Sequence, residues 1–341
     1  MIRTLARLSA VICVITLAPL ADAARRIEIL KPRGGLPAHL VGEFREPLAF
    51  QQSDDGTYVV FDRRGHSVYE IDAGMTAARR IVQIGQEDGR IIEPNAFDME
   101  PHGVFVIADA PNRRERVQRF GPGGARLGGF TLPGRTSSRV TIGTLVLNGV
   151  GTIEFTGRSV LINQPETGSL VTEYDFSGTP FRTFGLLRAT GQESDRDVHL
   201  GLNVGIPLVN PLGGFYFVFQ TGEPLFRKYD AMGKLVFERH VEGRELDGLR
   251  AGLPTRWPRR RTGPEADLPL ITPTVRTAGV DANGNLWVTL MVPYTYVYDS
   301  DGEKMRVVQF EAAGPLMPTS LFFAKDGRLL VTPGCYAFDP R

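Results

Sequence analysis

Residues 93–130 read EPNAFDMEPHGVFVIADAPNRRERVQRFGPGGARLGGF, and their parsing decides the fold. Residues 95–100 suit a short first strand. Pro101, His102 and Gly103 follow as a tight turn, because Pro presets φ and Gly tolerates positive φ. Residues 104–108, VFVIA, are apolar throughout, as in a strand buried on both faces. A polar loop at 109–113 leads to RVQRF at 116–120, which alternates as a half-buried strand does. Gly121, Pro122, Gly123 and Gly124 turn the chain into a last strand at 125–130. Four strands of about five residues within about 40 residues match one propeller blade.

The same rhythm recurs along the chain. Residues 47–85 repeat it, with the turn Asp54-Asp55-Gly56 and the apolar run 58–61. Further blades are expected at 144–184, 201–241 and 274–310. Residues 318–338 supply only three strands. The strand at 24–32 has no partner nearby in sequence. That strand is therefore expected to complete the last blade and to close the ring, which removes the exposed edges of an open array. The predicted fold is all-β, a six-bladed β-propeller closed by its N-terminal strand. Residues 242–273 break the rhythm and are expected to form an insertion loop. If they hide strands, a seven-bladed ring is the alternative.

The pattern carried by Pro94, Gly103, Val106, Ala108, Asp109, Asn112, Arg113, Val117, Gln118 and Phe120 resembles an NHL repeat, a blade type of six-bladed propellers of the NHL-repeat and TolB-like superfamily. The match is good in this blade and loose in the others. The resemblance implies a fold and leaves the activity open.

Arg3 and Arg7 precede an apolar run at 8–20, and Ala21, Asp22 and Ala23 follow as a cleavage site. Residues 1–23 thus read as a secretory signal peptide of a bacterial-type exported protein, periplasmic or secreted, with no transmembrane segment after cleavage. Cleavage would remove Arg3, Arg7 and Asp22, leaving 37 basic and 37 acidic residues. A neutral chain has no general attraction for nucleic acid or for a membrane surface. Cys335 is then the single cysteine, expected as a buried strand residue.

In a propeller, loops between second and third strands share one end of the ring with the connectors between blades. The remaining turns lie at the other end. This sorting places Arg63, Arg64, Arg113, Arg139 and Arg276 at the connector end, with the Asp109–Asn112 loop. Asp54, Asp72, Asp175, Asp230, Asp281 and Asp299 fall at the far end, where Asp is also a turn former. Arg offers a planar fork of donors to carboxylates and phosphates. The connector end is therefore expected to recognise an anionic glycan, an acidic peptide or a protein partner, without a cofactor.

The alternative is a metal-dependent, lactonase-like hydrolase or a lyase, with Ca²⁺ or another divalent metal in the channel mouth. Of five histidines, His199 alone sits just ahead of an inner strand at the connector end. Asn148, Asn203, Asp281, Glu166 and Glu223 could supply an oxygen set for calcium, although their spacing does not demand it.

Overall fold

The computed structural model describes residues 27–132, 140–142, 145–147, 151–261 and 267–341. The expected signal peptide and Arg139 lie outside the described residues. No helix among the described residues is long and apolar enough to cross a membrane.

Six blades, each built on four antiparallel strands, follow one another around a ring, and the sheet of blade five carries two further short strands. Blade one runs from Pro47–Gln52 to Ala78–Val82, and blade two from Ala96–Met99 to Arg126–Thr131. Blade three spans Ile153–Phe155 to Pro180–Leu186, and blade four Gly205–Val209 to Leu235–His240. Blade five spans Val275–Val280 to Lys304–Glu311. Blade six comprises Ser320–Phe323, Leu329–Thr332 and Tyr336–Phe338, with Pro32–Gly35 as its outermost strand. The chain is a six-bladed β-propeller closed by its N-terminal segment.

The second strands explain why this sequence chooses blades. Tyr58–Asp62 and Phe105–Asp109 are buried along their whole length. Alternate residues of each strand feed two different cores. Tyr58 and Val60 pack with Leu330 and Ala337 of blade six, whereas Val59 and Phe61 pack with Phe105 and Ile107 of blade two. An apolar cluster of this kind fills each of the six interblade seams. Every large side chain so buried contributes roughly 1.5–3 kcal/mol.

Three sequence expectations are refined. The closing strand is Pro32–Gly35, which pairs with Tyr336–Phe338. The preceding segment Glu28–Leu30, part of the expected strand at 24–32, instead lies parallel to Lys304–Glu311 at the rim of blade five. Blade three begins at Ile153 rather than near residue 144, because Leu145–Leu147 pairs with Val140–Ile142 outside the blade. Residues 242–273 are more than a loop. Arg259–Arg261 and Asp267–Ile271 form a hairpin whose second strand pairs in parallel with Val140–Ile142. The strands hidden here therefore knit two connectors together and add no seventh blade. Val198, Leu202 and Ile271 form a small apolar cluster at this sheet, with Trp257 against it.

Candidate functional site: the central channel

The innermost strands of all six blades surround a cavity of about 420 Å³ on the ring axis. Its walls run from Asn95, Thr152 and Thr319 at the connector end to Glu100 and Phe323 at the far end. The lining is lopsided. Blades four and six present Leu208, Leu321 and Phe322, and blade five Ala278 and Gly279 beside Arg276. Blades one, two and three present Gln51, Asp98 and Glu154.

Those three side chains form a relay from blade to blade. Gln51 Nε2 donates to Asp98 Oδ1 at 3.3 Å. Asp98 Oδ2 accepts from the Phe155 backbone N–H at 2.7 Å. Glu154 Oε1 accepts from the Val209 backbone N–H at 2.7 Å. An innermost strand has one edge without a strand partner, so its N–H groups need other acceptors. The carboxylates supply them and tie each inner strand to the next. Burial raises the Asp98 carboxyl to about 6, against the pull of its hydrogen bonds. Burial also pushes Glu154 well above the usual carboxylate range, and the nearby Asp98 charge pushes it further. Gln51 Oε1 is buried without a hydrogen-bond partner.

Two arginines line the same cavity. Arg63 is held by Glu46 through two hydrogen bonds of 2.6 and 3.1 Å, so its charge is already matched. Arg276 is the second residue of the inner strand of blade five. Its Nε is buried and unpartnered, and its guanidinium makes no hydrogen bond or ion pair among the described residues.

The other residues singled out in the sequence do not join them. Asp109 is buried and gripped by Arg116, whose Nε and Nη2 donate to its two oxygens at 2.9 and 2.7 Å. Arg116 also donates to the carbonyls of Gln86 and Arg90. Asp109 therefore fastens the connector to the blade and offers nothing to a ligand. Asn112 is exposed, in a left-handed conformation within the turn Pro111–Arg113. Arg113 shares that turn, and its side chain lies outside the described residues. Arg64 is exposed in the turn after Tyr58–Asp62. His199 sits in the helix Arg196–Gly201, with Nδ1 2.8 Å from Thr190 Oγ1, and it does not line the channel.

The calcium set does not converge either. Asn203 is fully buried and bonds to Arg188 and to the His199 carbonyl. Asp281 lies at the far end and accepts from Asn285 and Trp287. Glu223 faces His240 and Arg250. Asn148 lies outside the described residues. No group of three or more His, Cys, Asp or Glu side chains comes together among the described residues.

A larger groove of about 940 Å³ runs beside blades three and four, under Leu253 and Trp257. Its two arginines are committed to the fold. Arg188 donates to the carbonyls of Leu202, Thr221 and Glu223 and lies over Phe219, and burial lowers its guanidinium to about 10. Arg227 pairs with Glu238 at 2.5 Å.

Gln51, Asp98 and Glu154 escaped the sequence reading. The available signal was an acid at the centre of two short apolar segments, AFDM at 96–99 and IEF at 153–155. A strand whose open edge faces a channel tolerates that acid.

No protein-family model and no curated protein matches the chain. Among solved structures it is similar to a catalytically inactive virginiamycin B lyase from Staphylococcus aureus with quinupristin. That likeness has 11% identity and a TM-score of 0.53, and it covers 89% of this chain and 82% of the other. A protein of unknown function from Bacteroides caccae aligns at 12% identity and TM-score 0.50, over 81% and 86% of the two chains. The WD40 β-propeller domain of Doa1 aligns at 10% identity and TM-score 0.50, over 92% and 97%. At these identities the likeness concerns the propeller fold.

Proposed function

We propose that this protein is a binding module that takes the carboxylate of an acidic ligand, such as a uronic-acid glycan or an acidic peptide, at the connector end of its central channel. Arg276 carries the reading. Arg63, Arg116, Arg188 and Arg259 each answer to a carboxylate or to backbone carbonyls. Arg276 is half-buried in the cavity wall with no such partner. A buried guanidinium Nε with no acceptor is costly, and a carboxylate taken by the same guanidinium relieves that cost. The site is concave and part apolar, with few polar groups, as ligand sites are.

The test is a calorimetric titration of the purified protein with glutarate and with a galacturonate oligomer. Arg276→Met is expected to weaken binding at least tenfold, about 1.4 kcal/mol. Arg64→Ala, at the exposed rim, is expected to leave it unchanged. Equal affinities for wild type and Arg276→Met sink the proposal.

A further inference from the structure

We infer that the channel holds a second subsite, formed by Asp98, Glu154 and Gln51, that accepts a primary ammonium group, so that the preferred ligand carries an amine as well as a carboxylate. The inference rests on the proposed carboxylate site and narrows its ligand class to zwitterions, such as amino-terminal peptides. Three observations support it.

The first is the donor–acceptor inventory. Asp98 accepts from Gln51 Nε2 and the Phe155 N–H, Glu154 Oε1 accepts from the Val209 N–H, and Gln51 Oε1 is an acceptor with no donor. An ammonium has three donors and no acceptor, so it fits a cluster whose unused capacity is for accepting. The second is Gln51 itself. The residue is only 8% exposed, yet its Oε1 has no hydrogen-bond partner. A buried acceptor left without a donor is costly, and a bound donor removes that cost. Its amide nitrogen donates to Asp98, and both side chains lie in the wall of the same cavity. The third is placement. Arg276 is the second residue of the inner strand of blade five, and Asp98 lies on that of blade two. In a ring of six these blades face each other across the axis. The cation lies near the start of its strand, at the connector end, and Asp98 lies deeper. Of the remaining charged residues in the wall, Arg63 is neutralised by Glu46, and Glu100 sits at the far end. A ligand entering from the connector end would leave its carboxylate at Arg276 and carry its amine inward to the acid pair.

The experiment titrates the full mature chain with hexanoate, hexylamine, adipate and 6-aminohexanoate. The amino acid is expected to bind at least tenfold more tightly than hexanoate or adipate. Asp98→Asn is expected to erase that advantage, and a cooperative urea unfolding transition shows that the variant is folded. If adipate matches 6-aminohexanoate in the wild type, the ammonium subsite is refuted and the carboxylate site stands. If hexylamine binds and hexanoate does not, the carboxylate site is refuted and the zwitterion reading falls with it. The wild-type series decides the matter even if Asp98→Asn does not fold.

Discussion

At the scale of single residues, three groups set the energetics. Asp98 binds its proton more tightly in the folded chain than in the unfolded one, because burial raises its carboxyl from 3.8 to about 6. The folded state therefore holds more protons between pH 4 and pH 6, and stability from this group falls as pH rises through that window. Urea unfolding of wild type and Asp98→Asn at pH 4.5 and pH 7 measures the effect. The wild type should lose about 2 kcal/mol relative to the variant on going to pH 7. A parallel pH dependence in both proteins contradicts it. Asp109 is a different case, buried but matched by Arg116. Removing one partner strands the other, so Arg116→Ala is expected to cost about 3–5 kcal/mol of stability without changing ligand affinity. Cys335 is fully buried, and burial alone pushes its thiol up to about 12. A thiol-reactive probe should label it at the rate of global unfolding, and fast labelling of the native protein would show that the seam between blades six and one opens locally.

At the scale of elements, the far-end turns show what a sequence does and does not disclose. Asp175, Asp230, Asp281 and Asp299 each accept from the backbone N–H groups two and four residues on. Each turn closes on a glycine with positive φ three residues after the acid. These aspartates are turn formers first, as their residue type implied, and hydrogen bonding lowers the Asp175 carboxyl. The same turns also dock on the preceding blade, which no local pattern announces. A Cβ on Gly178 would lie 2.7 Å from Phe130 Cβ, and one on Gly233 would lie 2.8 Å from Phe184 Cβ. Gly233→Ala thus adds a steric conflict to a strained φ and is expected to cost about 1–3 kcal/mol in thermal or urea unfolding. Gly168→Ala, equally positive in φ but facing open space, should cost less.

The blades were legible because five-residue apolar runs and D-x-x-G turns are local features. The candidate site was legible only in part. Arg276 was named because topology sends the start of an inner strand to the connector end. Asp98 and Glu154 were missed because their meaning arises only when six edges face one axis. Asp109 looked free in the sequence because its partner, Arg116, comes from the neighbouring strand, and a carboxylate in a loop looks free until that pairing is known.

At the scale of the whole molecule, closure and the channel depend on each other. Pro32–Gly35 completes blade six, and Glu28–Leu30 reinforces blade five through a parallel pairing and the Arg306–Glu28 ion pair. The ring is thus latched across the seam between blades five and six. A ring so closed holds its six inner edges at fixed spacing, and those edges define the site. The central claim is that a ligand carboxylate sits in the channel against Arg276. The most direct measurement is the bromine anomalous signal from crystals soaked in 6-bromohexanoate. The account predicts a peak inside the ring, with carboxylate density within hydrogen-bonding distance of the Arg276 guanidinium. Density confined to the exposed rim at Arg64, or to the groove beside blades three and four, would contradict it.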